Sequence, residues 1–183
     1  MPSVQYYAAA SLDGFIARPD GDISWLTSFG GDSSMDPNDV TDRTFDEFMA
    51  GVGAVVMGSK TYEYVLEHSS AWPYDMPGWV LTSRDLPMAQ GADLRMVNGD
   101  AAEVHGEAVE AAGEKNVWMV GGGNVASQWV EHGLIDELVV TLVPVILGEG
   151  LPLFASGILG EFRTKSVRPF ASGMVELAYD FPR

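Results

Sequence analysis

Twice along this chain a short apolar run ends in glycine and passes straight into a helix-forming stretch, and this repetition restricts the fold more than any other feature. Residues 53–57 (Gly-Ala-Val-Val-Met) meet Gly58, and a helix is expected from Ser59 to about His68. Residues 116–120 (Asn-Val-Trp-Met-Val) meet Gly121, Gly122 and Gly123, and a second helix is expected from Asn124 to His132, closed by Gly133. Each is a strand–turn–helix unit, the element from which parallel sheets with crossover helices are built.

The remaining segments extend that pattern. Residues 4–10 are short, apolar and aromatic, and stop at Asp13-Gly14, so they read as a buried first strand. Residues 78–82, 93–97 and 136–143 are further strands, and 162–169 with 174–181 form a closing hairpin around Ser172-Gly173. Asp39 is placed to cap a helix to about Ala50 whose apolar face is Val40, Phe45, Phe48 and Met49, and Asp100 to cap one over 101–112. Residues 16–39 are dense in turn dipeptides and read as one long loop, a length that in a small domain is usually functional. The sum is an α/β fold of eight strands and four helices, parallel in the middle and antiparallel at the edge where the hairpin joins. Ligands of such sheets sit beyond the carboxyl ends of the strands, where both glycine turns fall.

Composition narrows the partners. The chain has 183 residues, enough for one compact core, and is expected to be a single domain over 1–183. Its formal charge of −16 opposes binding to nucleic-acid phosphates and anionic membranes. With no Cys there is no disulfide, thiolate nucleophile or Cys-ligated metal. His68, His105 and His132 lack metal-site spacing, so no metal is expected. No apolar run approaches the roughly 20 residues that span a bilayer, and the N-terminus lacks a basic, then apolar, leader pattern. A cytoplasmic protein is the expectation.

Three strand ends carry groups suited to an anion. Gly121-x-Gly123-x-x-Ala126, after a strand and before a helix, lets backbone and helix dipole approach a pyrophosphate, although the same run also reads as a plain tight turn. Gly58-Ser59-Lys60-Thr61 misses a P-loop, because the four residues before Gly58 are strand and a Ser precedes the Lys. What remains is a helix start bearing Ser59, Lys60 and Thr61, fit for phosphate oxygens or simply a capped helix with an exposed Lys. Thr82-Ser83-Arg84 sets two hydroxyls beside a guanidinium, which suits a phosphate monoester or serves as a solvated turn.

The order of these motifs carries a resemblance. Ser11-Leu12-Asp13-Gly14-Phe15-Ile16-Ala17, Val56-Met57-Gly58-Ser59-Lys60-Thr61-Tyr62-Glu63, Leu81-Thr82-Ser83-Arg84, Val120-Gly121-Gly122-Gly123 and Asp136-Glu137-Leu138 leading to Pro144-Val145-Ile146-Leu147-Gly148-Glu149-Gly150 follow one another over nearly the whole chain. The sequence resembles the dihydrofolate reductase-like superfamily, most closely the branch that holds the reductase domain of bifunctional riboflavin-biosynthesis deaminase-reductases and its stand-alone relatives. The resemblance implies a three-layer sandwich and an NADPH-dependent reductase acting on a pterin-like or riboflavin-precursor-like heterocycle. It places Gly58, Ser59, Lys60 and Thr61 at cofactor phosphates and Thr82, Ser83 and Arg84 at the 2′-phosphate. Gly121, Gly122, Gly123, Asn124 and Val125 would lie along the pyrophosphate and nicotinamide side, and Ala9 and Ile16 at the nicotinamide. Trp25 and Phe45 would border the substrate. Relatives of the riboflavin type are dimeric, and the apolar text of residues 138–143 with Ile146 and Leu147 exceeds what one edge strand needs, so a homodimer is expected.

The acid that serves the substrate is less defined. Counting back from Met57-Gly58 places Asp42 in the first turn of the preceding helix, where the resemblance implies the acid that holds the pterin in dihydrofolate reductases proper, with Asp46 one turn later. Asp42 is equally a first-turn charge favoured by the helix dipole, and Asp13 reads either as a site acid or as a turn former. The deaminase half with its zinc ligands is absent from this chain, and Arg18, Arg43, Lys165 and Arg168 form no sequence cluster for a ribose phosphate. Two other functions compete. A nucleotide-binding dimeric module that keeps the fold without chemistry would bind cofactor and turn nothing over, and an NTPase would require the P-loop that the inserted Ser disrupts.

Overall fold

A computed structural model of the protein describes residues 2–30, 41–69, 71–155 and 160–181. Along the chain run β1 (Val4–Ser11), β2 (Phe15–Ala17), α1 (Ser24–Gly30), α2 (Thr41–Ala50), β3 (Val52–Gly58), α3 (Ser59–His68), β4 (Gly78–Leu81), β5 (Leu94–Val97), α4 (Ala101–Ala112), β6 (Asn116–Met119), α5 (Gly123–Glu131), β7 (Glu137–Val143), β8 (Leu151–Pro152), β9 (Arg163–Pro169) and β10 (Val175–Asp180). Eight strands make one sheet in the order β5-β4-β3-β6-β1-β7-β10-β9. From β5 to β7 every pairing is parallel, and β10 and β9 join antiparallel. The expected α/β architecture with its C-terminal hairpin is what the chain forms.

Alternation along the strands divides the core into layers. Val4, Tyr6 and Ala10 of β1 share one face with Ala54, Val56, Val117, Met119, Leu138 and Val140, and meet Val104, Ala108 and Ala112 of α4 and Ala126 and Trp129 of α5. On the other face Val55, Met57, Val80, Trp118 and Val120 meet Tyr62 of α3 and Phe48 and Met49 of α2. Central strands buried on both sides explain why their sequence is continuously apolar instead of alternating. Asp100 caps α4 as expected, accepting from the Ala102 N–H at 2.7 Å.

Two expectations change. The described residues form ten strands and five helices, because the segment read as one loop contains most of β2 and all of α1, and the segment after β7 contains β8. Asp22 organises α1, taking both the Ser24 N–H (3.0 Å) and the Ser24 hydroxyl (2.7 Å), and Trp25, Leu26 and Phe29 bury its apolar side. β2 is stabilised from far along the chain, by antiparallel pairing with β8, which local sequence does not reveal. Asp39 and the rest of 31–40 lie outside the described residues. Finally, β7 is no edge strand: it runs between β1 and β10, and Leu138, Val139, Val140 and Val143 are all buried within this one chain. Its apolar surplus therefore gives no support to a dimer.

The loop after β7 is pinned onto the end of β1. The Asp13 carboxylate accepts from the Leu147 N–H (3.1 Å), the Gly148 N–H (2.7 Å) and the Ser11 hydroxyl (2.6 Å). Backbone bonds from Leu12 N–H to the Val145 carbonyl (2.8 Å) and from Leu153 N–H to the Gly14 carbonyl (2.9 Å) flank it. The Ser11 hydroxyl, helped by the two amides, holds the Asp13 carboxyl below the usual carboxylate range. A depressed folded-state pKa means that the clamp is at full strength above the unfolded value near pH 4 and is lost as pH falls through the lower folded value. Amide-exchange protection at Leu147 and Gly148, corrected for intrinsic rates, should therefore be flat above about pH 4 and fall in acid, while Asp13→Asn should show weak protection throughout. Equal protection in wild type and variant would show that the carboxylate does not hold this loop.

Candidate functional site

Because β4, β3, β6 and β1 are neighbours and parallel, their carboxyl ends line one edge of the sheet. The chain leaves them at Thr82, Gly58, Val120 and Ser11, which gathers the three anion-suited segments in a row with the end of the first strand. The two glycine turns touch. A Cβ on Gly122 would lie 3.7 Å from the Thr61 hydroxyl and 3.9 Å from the Gly58 nitrogen, and one on Gly58 would lie 3.1 Å from a methyl of Val125. Gly121 (φ 70°) and Gly122 (φ 93°) adopt left-handed backbone, which side chains disfavour. Gly123 has a steric reason, since a Cβ there would collide with the Pro152 carbonyl. Neither α3, entered from Gly58, nor α5, entered from Gly122, has a side-chain cap, in contrast to α4. Two helix N-termini with their partial positive charge thus start side by side. Ser59 and Thr61 are half-buried there, and Lys60 is exposed.

At the β4 end, the Thr82 hydroxyl accepts from the Arg84 N–H at 2.9 Å and shapes the turn. Arg84 projects into a fork-to-fork pair with Glu63 of α3, at 2.9 Å from Nη1 and 2.6 Å from Nη2. The Arg84 hydrogen bonds hold the Glu63 carboxyl below its usual range and raise the guanidinium in turn. Glu63 sits inside a motif whose neighbours drew attention for their phosphate chemistry. Its role needs the contact between α3 and the β4 turn, which spacing along the chain does not show.

At the β1 end, Ala9 is half-buried against the cluster of Trp25, Val143, Phe170 and Met174. Trp25 is itself buried in α1, where a loop residue had been expected. Ile16 packs from β2 onto the main core. Phe45 is 42% exposed and stands edge-on to Trp118 (5.7 Å) and 6.3 Å from Tyr7, while Phe48 meets Tyr7 edge-on at 4.7 Å. Asp42 falls in the first turn of α2, and its side chain lies outside the described ones. Asp13 is at this edge with its carboxylate engaged in the clamp.

The sheet here also carries buried polar groups that the sequence reading did not single out. Ala9, Thr141 and Glu176 are direct partners across β1, β7 and β10, so all three face the same way, together with Tyr7. Thr141 and Glu176 are 6% and 7% exposed. The Tyr7 hydroxyl donates to Glu176 at 3.0 Å, and the Arg168 guanidinium is 3.9 Å from the other carboxylate oxygen. Burial pushes the Tyr7 phenol up to about 12; a hydrogen bond with Thr141 opposes this and the Glu176 charge adds to it. The only sequence sign was an acid inside a β-prone run. The histidines serve local structure: His68 and His132 bond carbonyls one turn back, and His105 packs edge-on against Trp129.

Comparison with known proteins places this geometry. The family model described as the RibD C-terminal domain matches residues 2–74 and 64–175. The uncharacterized protein YwjB of Bacillus subtilis (strain 168) is 33% identical over 149 residues, which are 81% of this chain and 80% of that one. A crystal structure described as a riboflavin biosynthesis protein, from Shewanella sp. PV-4, superposes with a TM-score of 0.82 at 28% identity over 99% of both chains. Dihydrofolate reductase from Enterococcus faecalis, solved with NADP(H), shares the fold, with a TM-score of 0.65 at 17% identity over 99% of this chain and 97% of that one. A sheet with these glycine turns at its carboxyl edge, matched along nearly its whole length, makes the chain a member of the RibD C-terminal domain family, an oxidoreductase family with the dihydrofolate reductase-like fold.

Proposed function

We propose that the protein is a cytoplasmic, single-domain, NADPH-dependent reductase that delivers hydride to a small heterocycle of the pterin or riboflavin-precursor kind. The observation that carries this reading is the adjacency of the two uncapped helix starts and the glycine run between Lys60 and Ala9. The glycine cradle fits a pyrophosphate, because backbone without Cβ atoms leaves room where a side chain would intrude. Gly58, Ser59, Lys60 and Thr61 would hold phosphate oxygens, and Gly121 to Val125 the pyrophosphate and nicotinamide side. Thr82, Ser83 and Arg84 would read the 2′-phosphate, and Ala9, Ile16 and Trp25 would border the nicotinamide. When bound, the cofactor supplies the hydride. The chain's own task is to orient the two reactants and exclude water, for which Phe45, Phe48, Trp118 and Trp25 provide an apolar surround. Asp13 acts in this reading as the clamp that fixes the end of β1, and Asp42 remains the acid proposed from α2.

Arg84 meets its phosphate only by releasing Glu63. The pair is exposed on both sides, and such pairs shift an equilibrium by at most about fivefold. A phosphate dianion in charge-assisted contact is worth on the order of ten- to a hundredfold, so it displaces the carboxylate. Arg84→Ala should weaken NADPH by about that factor and leave NADH nearly unchanged, whereas Lys60→Ala should weaken both. Glu63→Gln, which removes the competing charge, should tighten NADPH by up to about fivefold. Titration of both cofactors against the three variants decides this; equal losses of NADPH and NADH in Arg84→Ala would show that the residue does not read the 2′-phosphate. Binding of NADPH without turnover across a pterin and pyrimidine panel would favour the non-catalytic module. We also propose a homodimer, now on the exposed Leu12 and Ile146 beside the clamp and Val167 on β9. A monomer mass by light scattering at micromolar concentration would reject it.

A further inference from the structure

The buried acids on the β1–β7–β10 face differ in how far their hydrogen-bonding capacity is used. Glu137 has a hydrogen-bond donor on each oxygen: one takes the Gln5 amide at 2.6 Å and the other the Lys165 ammonium at 2.8 Å. Glu176, on the same face and equally buried, has among the described residues one hydrogen bond, from Tyr7, and a guanidinium at 3.9 Å, beyond hydrogen-bond reach. An ionised carboxylate offers about four acceptor positions. Burying one with acceptors unused is costly, and a sheet gains nothing from it that a Leu would not provide better.

Its location shows what would use those acceptors. Ala9, Thr141 and Glu176 form one row across three strands, so Glu176 lies two strand spacings, about 10 Å, from the position given to the nicotinamide. Along the strands this row has the Trp25–Val143–Met174 cluster on one side and the Tyr7–Phe48–Trp118 cluster on the other. The Tyr7 phenol reaches across β7 to Thr141 and Glu176, so an aromatic ring over this row would lie beside that phenol, with apolar walls and one polar end. We propose that Glu176, with the Thr141 hydroxyl, anchors the substrate by accepting N–H donors from the edge of an amino- or amide-bearing heterocycle, while Tyr7 positions the carboxylate. The anchor deepens the reductase reading, on which the placement of the cofactor at Ala9 rests. Because the Tyr7 phenol stays neutral to about pH 12, it remains a donor to Glu176 over the physiological range and keeps one oxygen turned away from the ring.

A test needs a small ring that presents two N–H donors on one edge, and 2,4-diaminopyrimidine does so through its 2-amino group and, when protonated, the neighbouring ring N1–H. Calorimetric titration of the NADPH-saturated protein should show binding that Glu176→Gln weakens by about ten- to a hundredfold, with NADPH affinity within about twofold of wild type. Tyr7→Phe, which leaves the carboxylate but not its orientation, should cost less than Glu176→Gln. If Glu176→Gln lowers Tm too far for titration, Thr141→Val addresses the same edge with the carboxylate intact and should cost roughly three- to tenfold. Probe binding that is unchanged in Glu176→Gln and Thr141→Val, no binding to wild type, or a loss confined to Asp42→Asn would each overturn the anchor. The two readings fail separately: NADPH binding with no Glu176-dependent probe binding removes the anchor alone, and Glu176-dependent probe binding with no nicotinamide cofactor bound removes the reductase reading alone.

Discussion

A parallel pair of strands cannot be closed by a tight turn, and each strand from β3 to β7 that joins its neighbour in the same direction must be reached by a crossing segment. That requirement organises the molecule. It covers both faces of the sheet with helices, buries β3 and β6 on both sides, and brings the carboxyl ends of β4, β3, β6 and β1 to one edge. Helices that start directly behind those ends must start next to each other. The anion-suited residues are therefore collected by topology, although Lys60, Arg84 and Gly122 are far apart in the chain.

What was legible in the sequence was whatever local chemistry decides. Gly121, Gly122 and Gly123 announce a turn because left-handed backbone and a close carbonyl permit little else, and Asp100 announces a cap because its side chain reaches a backbone amide two residues on. What was missed depends on partners distant in sequence. β2 exists through β8, β7 proves central only once β10 is paired beside it, and Glu63 finds Arg84 only after α3 packs beside the β4 turn. The row of Ala9, Thr141 and Glu176 draws one residue from each of three strands spread from one end of the chain to the other, so no window of sequence contains it.

An acidic chain that binds a polyanion has to solve its electrostatics locally. With a net charge of −16 the long-range field repels a dinucleotide, and at physiological salt that field is screened beyond about 8 Å. In the proposed function, contacts within that distance would dominate affinity: two helix starts, Lys60 and the Arg84 guanidinium. Glu63 fits this logic. It holds the Arg84 fork in a fixed orientation, so the guanidinium is already ordered when a stronger acceptor arrives.

The same reasoning separates the carboxylates by what surrounds each. Asp100 spends its oxygens on a helix start, Asp13 on two loop amides and a hydroxyl, Glu63 on a guanidinium, and Glu137 on an amide and an ammonium. Every one of these is explained by the fold it stabilises or the group it orders. Glu176 has the burial of a structural acid without the set of donors that a structural acid acquires, and it occupies the row that begins at Ala9. Desolvation acts on Glu137 and Glu176 alike. The difference between them is that Glu137 takes a hydrogen bond on each oxygen, from β1 and β9 of this chain, whereas Glu176 takes one from Tyr7 and an ion-pair contact from Arg168, and in the proposed anchor its further donors come from a molecule lying on the sheet.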